Sequence, residues 1–146
     1  MGIRVTNVLP LAAAILLLAG GAASAAESGW VLVDDNPQVS AFYFDQASVS
    51  KPAAGLVSVT TKAIYSEQGK ADALEVMGHP KGFDDLSYTN FVYTIDCPGE
   101  KSRLEDVTHY DSKGEPLREF KLSGKTDWEA IAPDTRLGLL ADVLCK

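Results

Sequence analysis

The chain of 146 residues carries 13 basic and 20 acidic side chains, a formal net charge of −7, and 46% of its residues are hydrophobic. An acidic surface of that size is repelled by nucleic acid and by anionic lipid headgroups, which sets both aside as partners. The length suits one domain with one core and is too short for two.

The first segment in chain order reads as an export signal. Arg4 supplies the positive n-region, residues 11–18 the apolar h-region within an uncharged stretch over 8–18, and Ala23, Ser24 and Ala25 an A-x-A-like cleavage site. The apolar run is shorter than the roughly 20 residues that a retained membrane helix needs. Leu18, Ala19 and Gly20 are followed by Gly21, where a lipoprotein signal has Cys, so no membrane anchor is expected. The chain thus divides into a signal peptide, residues 1–25, and a mature domain, residues 26–146, that works in the periplasm or as a secreted protein. Loss of Arg4 leaves 12 basic against 20 acidic side chains, a net of −8.

Strand signals dominate the mature part. Residues 30–33, beginning at Trp30, form a short apolar run ended by Asp34, Asp35, Asn36 and Pro37, a cluster of turn formers. Residues 41–45 are rich in aromatics and predict a second strand. Over 57–65, Val57, Val59, Ala63 and Tyr65 fall on one face and Ser58, Thr60 and Lys62 on the other, the period of a half-buried strand. Gly69, Gly78, Pro80 and Gly82 interrupt residues 66–85 and leave two helical turns over 71–77 within a loop. Strand character returns over 88–97, with Thr89, Phe91, Tyr93, Ile95 and Cys97 in line on the core face. Pro98 and Gly99 turn the chain. Residues 103–111 and 117–122 then flank a hairpin loop over 112–116, in which Gly114 is available for a positive φ.

The last segment changes period. Pro133 precedes Asp134 and Thr135, either of which can cap a helix through its side-chain oxygen. Leu137, Leu140, Ala141 and Leu144 recur at i, i+3, i+4 and i+7, the stripe of a helix of about ten residues that would melt alone in water. The expected fold is α+β: an antiparallel sheet of about six strands with the C-terminal helix packed on one face. Cys97 and Cys145 both lie in the mature part. In an oxidising compartment, an even count without C-x-x-C spacing favours one structural disulfide over a metal site or redox pair. Such a bridge would pin the end of the helix to the sheet.

Taken in order, the landmarks resemble a known family. They are Trp30, the strand Tyr43, Phe44 and Asp45, Lys62 before Tyr65, the strand end Ile95, Asp96 and Cys97, the hairpin Tyr110, Asp111 and Gly114, then Trp128, Ile131, Pro133 and Cys145. This set resembles the surface-adhesin protein E family of bacterial envelope proteins, over residues 30–145. The resemblance implies a twisted antiparallel sheet with a C-terminal helix tethered to it by a disulfide. It also implies an adhesin role, since some members bind host extracellular-matrix components. Two departures bear on that activity more than on the fold. Thr60 and Thr61 stand where the family often has Trp, and the lipid-attachment Cys of an anchored adhesin is absent.

No catalytic, cofactor or metal residues are assigned. His79 sits in a Gly-His-Pro loop and is expected in solvent. His109 and Asp111 share a strand face with ligand-like spacing but lack a third ligand. No nucleophile elbow, zinc-protease helix, phosphate loop or dinucleotide fingerprint occurs. The adjacent acids Asp34 and Asp35, Asp84 and Asp85, and Glu105 and Asp106 read as solubility and turn residues, because neighbours on a strand point to opposite faces. Between residues 101 and 125, six basic side chains meet five acids, so an acidic partner would meet least resistance there unless the ribbon is an ordinary solvated hairpin. Aromatic rings crowd the expected strands, and a sheet with one covered face must show some of them on the other. Strand parity selects Tyr43 and Tyr88 as candidate contact residues.

The leading reading is an exported, non-enzymatic protein, without cofactor, that binds an extracellular or envelope protein through its open sheet face. A sheet edge of this kind also allows a homodimer. The alternative is a structural or stress-associated periplasmic protein without a specific ligand. A third reading, a small hydrolase, needs a pocket in which His109 meets a Ser or an Asp.

Overall fold

Seven antiparallel strands form one sheet in the computed structural model, which describes residues 29–146. β1 (Trp30–Asn36), β2 (Ser40–Asp45), β3 (Leu56–Tyr65), β4 (Leu86–Asp96), β5 (Lys101–Asp111) and β6 (Pro116–Lys121) lie side by side in chain order. The short β7 (Glu129–Ala130), which no sequence pattern announced, pairs with the start of β5. α1 (Glu67–Met77) connects β3 to β4, and α2 (Arg136–Leu144) ends the chain. This is the expected α+β architecture. The export signal expected over residues 1–25 lies outside the described residues.

Alternation along the strands gives the sheet two different surfaces. Phe42 and Phe44 of β2, Val57, Val59 and Ala63 of β3, Ile95 of β4 and Val107 of β5 are buried on one of them, with Phe42 opposite Ala63 and Val57 opposite Ile95. Both helices lie over this face. Leu140 of α2 is fully buried against Phe44, Val59 and Ile95, and Leu137, Ala141 and Leu144 pack around them, so the stripe seen in the sequence is the one that docks. Thr135 caps α2 by accepting from the Gly138 N–H. Cys97, just after β4, is bonded to Cys145, just after α2, with Cα atoms 5.5 Å apart and 48 residues of chain between them.

Two elements run three or more residues longer than the sequence predicted, each for a local reason. α1 begins at Glu67, through the Gly69 that read as a break. The helix lies so close to the turn between β1 and β2 that a methyl on Gly69 would overlap the Val39 carbonyl oxygen. Ser66 caps it by accepting from the Gly69 N–H, and Gly78 ends it at φ +76°. β1 continues through Asp34, Asp35 and Asn36, past a register shift between Leu32 and Asp34. An edge strand tolerates acids because one side of it meets water. Arg136 of α2 then holds the Asp34 carboxylate at 2.8 Å.

Candidate functional site

Among the described residues, no helix covers the opposite face of the sheet. Its side chains follow from the strand registers. Tyr43 of β2 lies opposite Lys62 of β3, Lys62 opposite Asn90 of β4, and Asn90 opposite Thr108 of β5. In the neighbouring row Ile64, Tyr88 and Tyr110 are aligned. The Lys62 Nζ sits 4.0 Å from the Trp30 ring centre and 4.9 Å from that of Tyr88. Tyr88 in turn stacks on Tyr110, with ring centres 4.7 Å apart and planes 10° apart. Trp30, Lys62, Tyr88 and Tyr110 therefore form a continuous column drawn from β1, β3, β4 and β5. Leu32 and Ile64, both exposed, extend its apolar surface.

The electrostatics of the column follow from this packing. Burial pushes the Lys62 ammonium below the usual lysine range, and Asp45 opposes the shift. The ammonium faces ring π-clouds, an attraction of about 0.5–1 kcal/mol at exposed sites and about 2 when desolvated. Burial, then the neighbouring Tyr110 and Asp111, pushes the Tyr88 hydroxyl up, so it remains a neutral hydrogen-bonding tip at physiological pH. The arrangement contains rigid, amphipathic contact groups and no nucleophile poised beside a base.

Tyr43 and Tyr88, the two residues selected by parity, both lie half-buried on this face. Sequence reasoning missed Trp30, Lys62 and Tyr110 as their companions. The polar parity of Lys62 was a usable signal. Tyr110 was hidden by an irregularity in β5: Tyr93 pairs with Leu104 but Val92 pairs with Asp106, which leaves Glu105 as an extra residue and inverts the parity beyond it.

Other expectations are revised. Two of the six basic side chains of the ribbon over 101–125 are engaged in ion pairs. Arg103 holds Glu105 at 2.8 Å and lies over Trp128, while Lys121 pairs with Glu119 and Asp106. His109 meets neither a Ser nor an Asp. Its Nδ1 lies 2.7 Å from Thr89 Oγ1, which is 2.8 Å from the Tyr65 hydroxyl. Thr89 is fully buried, so its hydroxyl is not an accessible nucleophile beside His109. Asp111 instead accepts from the N–H groups of Lys113 and Glu115 and closes the β5–β6 turn. Among the described residues, no group of three or more His, Cys, Asp or Glu is placed to hold a metal ion. Nor is any described helix long and apolar enough to cross a membrane.

Comparisons with known proteins address the whole domain. The sequence pattern of the family described as surface-adhesin protein E matches residues 30–146. Protein E of Haemophilus influenzae is similar in fold, with a TM-score of 0.54 at 16% identity over 81% of this chain and 84% of that one. Its crystal form II gives a TM-score of 0.56 at 19% identity, covering 81% and 87% of the two chains. No curated protein sequence matches the chain. At these identities the solved structures establish the shared fold, and the sequence pattern establishes the relationship. The chain belongs to the surface-adhesin protein E family.

Proposed function

We propose that this protein is an exported, non-enzymatic adhesin that binds an extracellular or envelope protein through the helix-free face of its sheet. Residues 1–25 direct export, cleavage after Ala25 releases the domain, and the product works in the periplasm or outside the cell. The observation that carries the reading is the column of Trp30, Lys62, Tyr88 and Tyr110, joined in register by Tyr43. Trp and Tyr offer large contact area with few rotamers to freeze, and they dominate the energetics of protein interfaces. Lys62 locks the rings in place before any partner arrives, which lowers the ordering cost of binding.

The test is direct binding of the purified, disulfide-intact protein to immobilised extracellular-matrix and envelope proteins at physiological salt. Replacing Tyr88 or Trp30 by Ala should weaken the strongest interaction by at least about tenfold, the loss expected at a hot spot. Val76→Ala, on the exposed side of α1, should leave it unchanged. Saturable binding that ignores Tyr88, Trp30 and Tyr43 alike would sink the proposal. Absence of binding across the whole set would favour the structural or stress-associated reading. The mass of the exported protein should correspond to a chain beginning at Ala26.

A further inference from the structure

On the helix-bearing face, at the end remote from α2, the loop after α1 brings Phe83 over β5 and β6. His109 of β5 is only 8% exposed there. Its ring stands edge-on to Phe83 at 5.5 Å and to Phe120 at 6.0 Å. Nδ1 is turned to Thr89, and Nε2 has no hydrogen-bond partner among the described residues. Arg118 lies opposite His109 in the strand register, its guanidinium 5.3 Å from the Phe83 ring centre and 5.9 Å from that of Phe120. Met77 and Pro80 complete the walls of a cleft of about 170 Å³ that the imidazole lines.

Three features of this cleft point to one ligand chemistry. Arg103 and Arg136 each hold a carboxylate at 2.8 Å, whereas Arg118, the third arginine of the described residues, has none within 4 Å. Its guanidinium, exposed and close to the Phe83 and Phe120 rings, presents a planar fork that suits a carboxylate. Second, when Thr89 donates to Nδ1 of the neutral imidazole, the ring proton sits on Nε2, where it can be donated to that same anion. Third, Phe83, Phe120, Met77 and Pro80 line the cleft and offer apolar contact to a ring-sized body seated beside the guanidinium.

We propose that this cleft binds an organic carboxylate with a ring-sized apolar body, held by Arg118 and His109 Nε2 and seated against Phe83, Phe120 and Met77. The site lies on the face opposite the proposed adhesive surface and stands independently of it. The same chemistry is offered by a free aromatic acid and by the C-terminal residue of a polypeptide, and the probes separate these sources.

The experiment is an NMR titration of the disulfide-intact protein, following the His109 ring and the Arg118 side chain. The probes are benzoate, N-acetyl-phenylalanine, its uncharged amide and inorganic phosphate. Saturable shifts are expected with one or both carboxylates, stronger for benzoate if the ligand is a free acid and stronger for N-acetyl-phenylalanine if it is a chain terminus. Arg118→Gln, a change at an exposed position, should weaken that binding at least about tenfold by removing a charge-assisted bond. His109→Gln should weaken it less. The proposal is overturned if neither carboxylate gives saturable shifts, if the amide or phosphate binds as well, or if Arg118→Gln binds like the parent protein.

Discussion

At the α2 end of the helix-bearing face, Leu140 is fully buried against Phe44, Val59 and Ile95, and a disulfide and an ion pair hold the helix down. At the α1 end the same sheet meets a loop around Phe83 and leaves a cleft, lined by His109 and Arg118. The first end is sealed by apolar contact and a covalent tie. The second is organised by polar groups satisfied in sequence, Tyr65 to Thr89 to His109, with one nitrogen and one guanidinium left over. The contrast places the apolar seal at one end and the unpaired polar groups at the other.

Disturbing the sealed end should produce the largest effects. Leu140→Ala removes a side chain with no exposure and should cost about 3–4 kcal/mol in urea unfolding of the oxidised protein. Replacing Cys97 and Cys145 together by Ala releases a long loop in the unfolded state and should cost about 3 kcal/mol. Neither change should alter the His109 resonances of the folded protein. If either variant loses less than about 1 kcal/mol, α2 is not the seal proposed for this end, since a fully buried Leu alone should contribute more.

At the other end, Gly69→Ala probes how α1 is held. The added methyl must push helix and turn apart, an overpacking cost of about 2 kcal/mol despite the better helix propensity of Ala. A stabilised variant in thermal unfolding would show that the close approach to Val39 is not required. Arg136→Ala should follow at about 1–2 kcal/mol, because its guanidinium donates to Asp34, to the Ser40 hydroxyl and to the Ser40 carbonyl while lying over Phe42. Its loss should be smaller in the Cys97→Ala, Cys145→Ala background if the tether and the ion pair restrain the same helix.

These positions also mark what a sequence can disclose. The α2 stripe, the strand alternation and the pairing of two cysteines were legible because each is a period or a count. Tyr43 and Tyr88 were placed on the helix-free face by parity alone. What parity could not show was the extra residue at Glu105, which turns Tyr110 toward Tyr88 and His109 toward Phe83. The bulge leaves no periodic signature, since its carboxylate is held by Arg103, Thr94 and Ser123, partners scattered along the chain. Gly69 was misread for a related reason: a glycine that allows close approach looks, in isolation, like one that breaks a helix. The polar chain from Tyr65 through Thr89 joins three strands and exists only in three dimensions.

The smallest expected effect is a pH dependence confined to the open end. Burial, and then Arg118, push His109 below the usual imidazole value of about 6.5. Below that value the unfolded chain takes up the proton more readily than the folded one. The stability associated with the neutral ring is therefore complete above about pH 6.5 and declines as the pH falls toward the lowered folded value. Glu105 acts in a separate, more acidic window. Burial works against its charged form, but hydrogen bonds from Ser123, Arg103 and Thr94 hold its carboxyl below the usual range, so its contribution is lost only as the Glu105 carboxylate itself protonates. His109→Gln should accordingly flatten the decline in unfolding free energy between about pH 7 and pH 5, relative to the ordinary imidazole value. Leu140→Ala and the cysteine replacements should lower the whole curve without changing its shape there. A carboxylate bound beside the ring favours the imidazolium, so benzoate should stabilise the protein more at the acidic side of this window than at the neutral side. Parallel curves for the parent and His109→Gln proteins would show that the buried imidazole does not distinguish the two ends.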